Sequence, residues 1–252
     1  MINLKFKKIF GYVIGGSLIV FLMMAATKNN SDKRCKGIIT HIKDNSEQFL
    51  ISKDEVEKWV TQYGRDPFEG KIIEKINLSK VEKRLLESGK VKKCEAYFDL
   101  QSNLIIDLET FKPIARVLNH NQLDGDRYID EEGNIFPFSK YFSPTVLLIS
   151  GDYFLNLKNL KATKNADLLN LLVSIKEDEF WSAQISQIEV NKLKEIKMIP
   201  LLGNNIIEFG KPEKINAKLD KLLFFYKQIL PQHKWSEFST ISVKYEGQIV
   251  CN

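Results

Sequence analysis

Residues able to carry proton, metal or acyl chemistry are few and scattered. His41, His120 and His233 lie far apart, with no two at i,i+4 spacing and no acidic motif beside them. A general base or a zinc site needs groups that converge, so each histidine reads as a surface or loop residue. Asp130-Glu131-Glu132 has the composition of a cation or paired-carboxylate site. A calcium loop, however, spaces its ligands at alternate positions, and glycosidases set two carboxylates across a cleft. Three adjacent acids just before Gly133 read as a turn. Cys35, Cys94 and Cys251 form no C-x-x-C and no zinc spacing. An odd count allows one internal bridge at most. Cys35 and Cys94 meet only if their strands are neighbours; free or buried thiols are the alternative. Ser139, Ser143 and Ser150 stand outside any G-x-S-x-G, and no glycine-rich phosphate loop occurs. The expectation is no catalytic residue, no metal and no cofactor, which leaves binding or scaffolding.

The elements around these residues fit that class. The chain has 252 residues, 44% of them apolar, and a net charge of +5. Its lysines are dispersed among acids, with no basic block interleaved with aromatics, so nucleic acid is not an expected partner. Residues Ile9 to Ala26 carry no charge. As a helix they would span roughly 27 Å, close to the bilayer core. Met24 sits where a signal-peptide cleavage site prefers a small residue, so the span reads as an uncleaved transmembrane helix after a cytoplasmic tail, residues 1–8. Lys28, Lys33, Arg34 and Lys36 rival the basic residues before it, so charge alone does not orient it. The short N-terminal tail and long C-terminal region favour the N-terminus inside.

After a polar linker, residues 27–34, the pattern is β-α-α-β-β over residues 35–112. Cys35 to Ile42 reads as a strand. Ser52-x-x-Glu55 and Ser79-x-x-Glu82 both read as capping boxes. Val56, Trp59 and Val60 line the first helix; Val81, Leu85 and Leu86 line the second, and Gly89 ends it. Val91 to Leu100 and Leu104 to Thr110 form a hairpin. A longer mixed region, residues 113–252, follows. Pro113 to Val117 is strand-like, and Tyr128-Ile129 and Ile135-Phe136 flank a turn. Thr145 to Ile149 is a short strand, and Asp152 to Lys164 is irregular. Ala166 to Asp178 is helical, closed by Phe180 and Trp181. Gln184 to Val190 reads as a bulged strand. Leu202-Gly203-Asn204 joins two strands, and Pro212 takes the first position of a helix carrying Ile215, Leu219, Leu222, Leu223, Tyr226 and Ile229. Thr240 to Tyr245 alternates strictly, with Ile241 and Val243 facing the sheet and Ser242 and Lys244 facing solvent. Gln248 to Cys251 finishes the chain. The fold class is α+β: a transmembrane helix, a small unit, then a larger β-domain with flanking helices.

Three stretches carry a family resemblance. Leu85 to Ala96 resembles the helix-to-strand step of a POTRA domain. Pro113-Ile114-Ala115-Arg116-Val117, followed by Tyr128-Ile129-Asp130-x-x-Gly133-x-Ile135-Phe136, resembles the start of the β-domain in FtsQ/DivIB cell-division proteins, and Pro137-Phe138-Ser139 after it resembles the Bacteroidetes-type form of that hairpin. Ile241 to Val250 resembles that domain's final strand, although Lys244 stands where many members have Arg. The segment 152–164 matches no element of the family. The resemblance implies a septal inner-membrane protein with periplasmic domains. It would link early division proteins to septal peptidoglycan synthesis through FtsB/FtsL-like single-span coiled-coil partners and other divisome proteins. Docking would be strand addition at Lys244, Tyr245, Gly247, Gln248, Ile249 and Val250. The alternative is a POTRA-bearing secretion or outer-membrane assembly factor.

Overall fold

The computed structural model describes residues 16–18, 33–43, 51–118, 125–139, 143–155, 157–233 and 237–252. Among them no helix is long and apolar enough to cross a membrane. The span Ile9 to Ala26 lies outside them except for Gly16 to Leu18, as do His120 and Trp235. The chain divides into two compact units between Thr110 and Phe111.

In the first unit, β1 (Ile38–Ile42), α1 (Lys53–Val60), α2 (Leu78–Glu87), β2 (Val91–Phe98) and β3 (Leu104–Thr110) follow in chain order. The three strands form one sheet in the order β1-β3-β2, with β1 parallel and β2 antiparallel to β3. The last strand therefore sits in the middle. Leu104, Ile106 and Leu108 are buried along it, and Val56, Val60, Val81 and Leu85 of the helices are buried too. Ser52 caps α1 by accepting from the Glu55 N–H at 3.1 Å. The reciprocal arm is not made: Glu55 turns its carboxylate to Lys90, 3.2 Å away. The second capping box is also corrected. Asn77 is the cap of α2, accepting from the Lys80 N–H at 2.9 Å. Ser79 is thereby displaced into the first turn. Asn competes with Ser for this role on equal terms, so a motif built on Ser79 alone picks the wrong start. Glu82 instead reaches β2 and accepts from the Ala96 N–H at 3.0 Å.

Asp66 accepts from Lys71 and from the Arg84 guanidinium, the latter at 2.6 Å. The Arg84 side chain is only 9% exposed and also donates to the Val60 carbonyl. Hydrogen bonds from Lys71, then Arg84, hold the Asp66 carboxyl below its ordinary range. A depressed folded pKa stabilises the fold above the unfolded value, and that stabilisation is lost as pH falls through the folded value. Asp66→Asn is therefore expected to cost about 1–3 kcal/mol at neutral pH, because a nearly buried guanidinium loses its counter-charge while Asp66 itself stays partly solvated. Denaturant titrations of wild type and variant should converge as pH drops below the ordinary Asp range. A gap that persists unchanged in acid would contradict this.

The second unit holds β4 (Pro113–Val117), β5 (Arg127–Asp130), β6 (Ile135–Pro137), β7 (Leu147–Ser150), β8 (Ile185–Val190), β9 (Ile196–Pro200), β10 (Ile206–Gly210), β11 (Thr240–Ser242) and β12 (Val250–Cys251). They form one nine-stranded sheet, ordered β12-β11-β10-β9-β8-β7-β4-β5-β6. The pairs β4–β7, β7–β8 and β10–β11 are parallel, and the other five are antiparallel. The β5–β6 hairpin turns on Gly133 at φ +77°. Asp130 is consumed by that turn, accepting from the N–H groups of Glu132 and Asn134 at 3.0 and 2.8 Å. The bulge in β8 falls between Ile185 and Gln187.

Helices α3 (Ala166–Glu177), α4 (Glu179–Gln184) and α5 (Ile215–Phe224) supply Leu168, Leu171, Leu172, Ile175, Trp181, Leu219 and Leu222 to the core. Strand residues Ile188, Val190, Ile196, Met198, Ile207, Phe209 and Ile241 meet them. Phe180 and Trp181 do not end α3. They belong to α4, which Asp178 caps by accepting from the Trp181 N–H at 2.9 Å. Pro212 is not the first residue of α5 either. Lys214, at φ +52°, precedes a helix that begins at Ile215. The helix runs on through a π turn, Phe225–Ile229, which buries Phe225 and Tyr226, and a single 3-10 turn containing Pro231 closes it.

Candidate docking edge

A sheet offers its unpaired N–H and C=O groups only at its edges, and the nine-stranded sheet has two, β6 and β12. The β6 edge is blunted. Asp130 and Asn134, and Asp126 and Phe138, are hydrogen-bonded across the hairpin, so Ile135 and Pro137 point their backbone groups outward. Pro137 has no N–H to offer. Just before it, Asn134 bridges Asn159, and the Leu160 N–H donates to the Gly133 carbonyl.

The β12 edge differs. Thr240 and Asn252 exchange both backbone hydrogen bonds. Ile241 pairs with Cys251, and Ser242 with Val250. Alternation then turns Val250 towards β11 and Cys251 away from it. In that register the Cys251 N–H and C=O take no part in the β11–β12 ladder. Ile249 has the same parity one step upstream. No charge and no proline stands between Gly247 and Asn252 to discourage a further strand.

The last segment is therefore a hairpin, not one strand from Thr240 to Tyr245. β11 stops at Ser242, Tyr245 to Gly247 turn, and the chain returns as β12. Ser242 is 4% exposed, not solvent-facing. Its register neighbours are Glu208 on one side and Val250 on the other. The chain's own return supplies the outer neighbour that alternation alone would leave as water.

Of the six residues named from the sequence, only Val250 lies in the edge strand, with Ile249 and Gln248 leading into it. Gly247 occupies the turn at φ +73°. Lys244 follows β11 and faces inward along the sheet, its ammonium 2.9 Å from Glu208. The Lys244 hydrogen bond holds the Glu208 carboxyl low, and Glu208 in return raises the lysine. Gly210 makes room for this: a Cβ there would sit 2.8 Å from the Lys244 Cβ. Tyr245 is 47% exposed beside it, with the Lys244 ammonium 5.2 Å from the ring centre. Cys251, whose backbone faces outward, was not among the six. Only the pairing partner of Asn252 reveals its parity, and no sequence pattern prints that.

The polar residues singled out above do not converge. His41 meets Asp107 in the first unit, and His233 meets Glu237 in the second. The three thiols are free. Burial, then the nearby Glu82 carboxylate, pushes the Cys94 thiol up to about 11. Among the described residues, no group of three or more His, Cys, Asp and Glu is placed to hold a metal. A hollow of about 730 Å³ opens at the start of β4, β7 and β8, lined by Ile114, Val146, Leu148, Ile185 and Leu201. Its two cations, Arg116 and Lys176, are taken by Asp126 and Glu131.

A small three-stranded unit is followed by a wide mixed sheet with one unblunted edge, the kind of edge at which backbone pairing between chains takes place. Comparison with protein families assigns the chain further. Residues 33–109 match a POTRA-like domain, and residues 112–252 match the family described as FtsQ/DivIB, C-terminal related. The chain belongs to the FtsQ/DivIB family, a family of non-catalytic cell-division scaffolds. No curated protein matches it.

Proposed function

We propose that this chain is a membrane-anchored scaffold of the bacterial divisome. It links early division proteins to septal peptidoglycan synthesis, and it takes FtsB/FtsL-like single-span partners by strand addition at β12. Ile9 to Ala26 would anchor it in the inner membrane, with the N-terminus inside and both units in the periplasm at the septum. The observation that carries this reading is the outward Cys251 backbone at the unblunted edge of an FtsQ/DivIB-type sheet. Main-chain pairing there would supply affinity, and side chains at alternate positions would supply specificity. A partner strand would meet Val250 on one face of the sheet and the Ile249 and Cys251 side chains, which pack against the core, on the other.

The test is depletion in the native cell with the tagged full-length chain as rescue. The reading expects filaments on depletion, and mid-cell signal with restored septation on rescue. Normal septation after depletion, with label spread evenly over the envelope, would overturn it.

A further inference from the structure

β12 has a thin hold on the sheet. Only Val250 and Cys251 pair as a strand, with Asn252 beyond them. The return from β11 to β12 runs through Val243 to Ile249, where Val243 is buried, Ile249 is half-buried and the residues between them are exposed. Within that return the carbonyls of Val243, Tyr245 and Gln248 accept no backbone N–H. All three converge on one group, the Lys221 ammonium of α5, at 3.1, 2.5 and 3.2 Å. An ammonium has three donors and no acceptor, so Lys221 is saturated by these carbonyls. Val243, the inner end of the clasp, is fully buried. The clasp thus ties the return to a core helix at Val243, Tyr245 and Gln248, the last of which stands two residues before β12.

We infer that Lys221 is a positioning residue for the β12 edge: it holds the return in the path that lays Val250 and Cys251 beside β11 and turns the Cys251 backbone outward. The inference rests on the docking reading for its functional meaning, but the clasp itself does not. A neighbouring ion pair, Lys214 with Glu246 at 2.7 Å, also touches the return. It joins two well-exposed side chains and fixes no backbone, so it serves as a control for charge alone.

Apparent affinity falls in proportion to the fraction of molecules in the binding-competent form. If losing the clasp leaves β12 docked about a tenth of the time, partner affinity drops about tenfold. The drop should appear in the association rate, with dissociation unchanged, because Lys221 touches the return and not the partner.

The experiment uses the full-length chain in detergent, as wild type, Lys221→Met, Lys221→Arg and Lys214→Met. Hydrogen exchange is read at the Val250 and Asn252 amides, and capture is read with the FtsB-like partner. The expected result is exchange about tenfold faster at those two amides in Lys221→Met, with Met198 and Ile207 unchanged. Lys221→Arg, whose guanidinium can also donate to several carbonyls, should recover most of the protection. Lys214→Met should resemble wild type. Wild-type protection in Lys221→Met would overturn the clasp, as would a Lys214→Met variant that loosens β12 equally. Loss of protection throughout the sheet would overturn it as well, since Lys221 would then support the core at large. A wild-type chain that captures no partner removes the docking reading alone, and the exchange arm still decides whether Lys221 holds the edge.

Discussion

Cys251→Pro is expected to abolish or strongly weaken partner capture while the second unit keeps its melting temperature. The Cys251 N–H faces away from β11, so its loss breaks no bond within the sheet. Proline also restricts the residue before it to extended conformations, which Val250 already adopts in β12. What changes lies outside the chain. A partner carbonyl aimed at that N–H finds none, and leaving it unsatisfied costs about 1–3 kcal/mol. That is roughly a ten- to hundredfold loss of affinity. Val250→Pro is the matched comparison. Its N–H faces β11, so the variant should loosen β12 itself and raise exchange at Asn252. Capture by surface-immobilised partner, with a thermal melt on the same samples, separates the two. Full capture by a folded Cys251→Pro variant would exclude backbone pairing at this edge.

The largest stability effect is expected at Gly151, at the end of β7. Its φ of +114° and ψ of +159° lie in a region open essentially to glycine alone. A Cβ there would stand 2.1 Å from the Val190 carbonyl oxygen of β8. The backbone strain costs about 1–3 kcal/mol, and relieving the overlap would push apart two central strands. Gly151→Ala is therefore expected to lose at least about 3 kcal/mol in denaturant titration, among the larger effects known for one methyl group. A loss below about 1 kcal/mol would mean that the β7–β8 junction relaxes freely.

Local pattern was a good guide wherever the structure is local. Hairpins announced by glycine, the β-α-α-β-β order and the bulge in β8 all follow from spacing that neighbouring residues settle among themselves. Helix starts were harder. Asn77 and Ser79 both have cap chemistry, and only the direction of the chain arriving from the preceding 3-10 turn, Ile73–Lys75, decides between them. Pro212 looked like a first helical residue, yet α5 waits for Lys214 to turn through a left-handed conformation. Non-local pairing was not legible at all. Nothing in Thr240 to Ser242 states that its neighbours are β10, in parallel, and a strand made from the chain's own last residues.

The site shows the same division. The C-terminal segment was recognisable, but its chemistry is carried by parity, not by residue type. Strict alternation from Thr240 to Tyr245 suggested one long strand with Ser242 in water. Instead Lys221, distant in sequence, gathers three carbonyls and folds the segment back on itself. That return buries Ser242 and moves the edge outward to Cys251. Lysine on a helix face gives no sign of such a role, because solvated lysines have the same spacing. Lys244 pairs with Glu208 of β10, a partner that its place in the sequence does not reveal.

The claim that β12 is the docking edge is tested most directly by photo-crosslinking in dividing cells. A photoreactive residue would replace Val250, which is 36% exposed on the edge strand, and separately Ile135 on the opposite edge. The account predicts that Val250 yields a defined adduct with a single-span division protein and that Ile135 yields none. An adduct from Ile135 with none from Val250, in cells that divide normally, would contradict it.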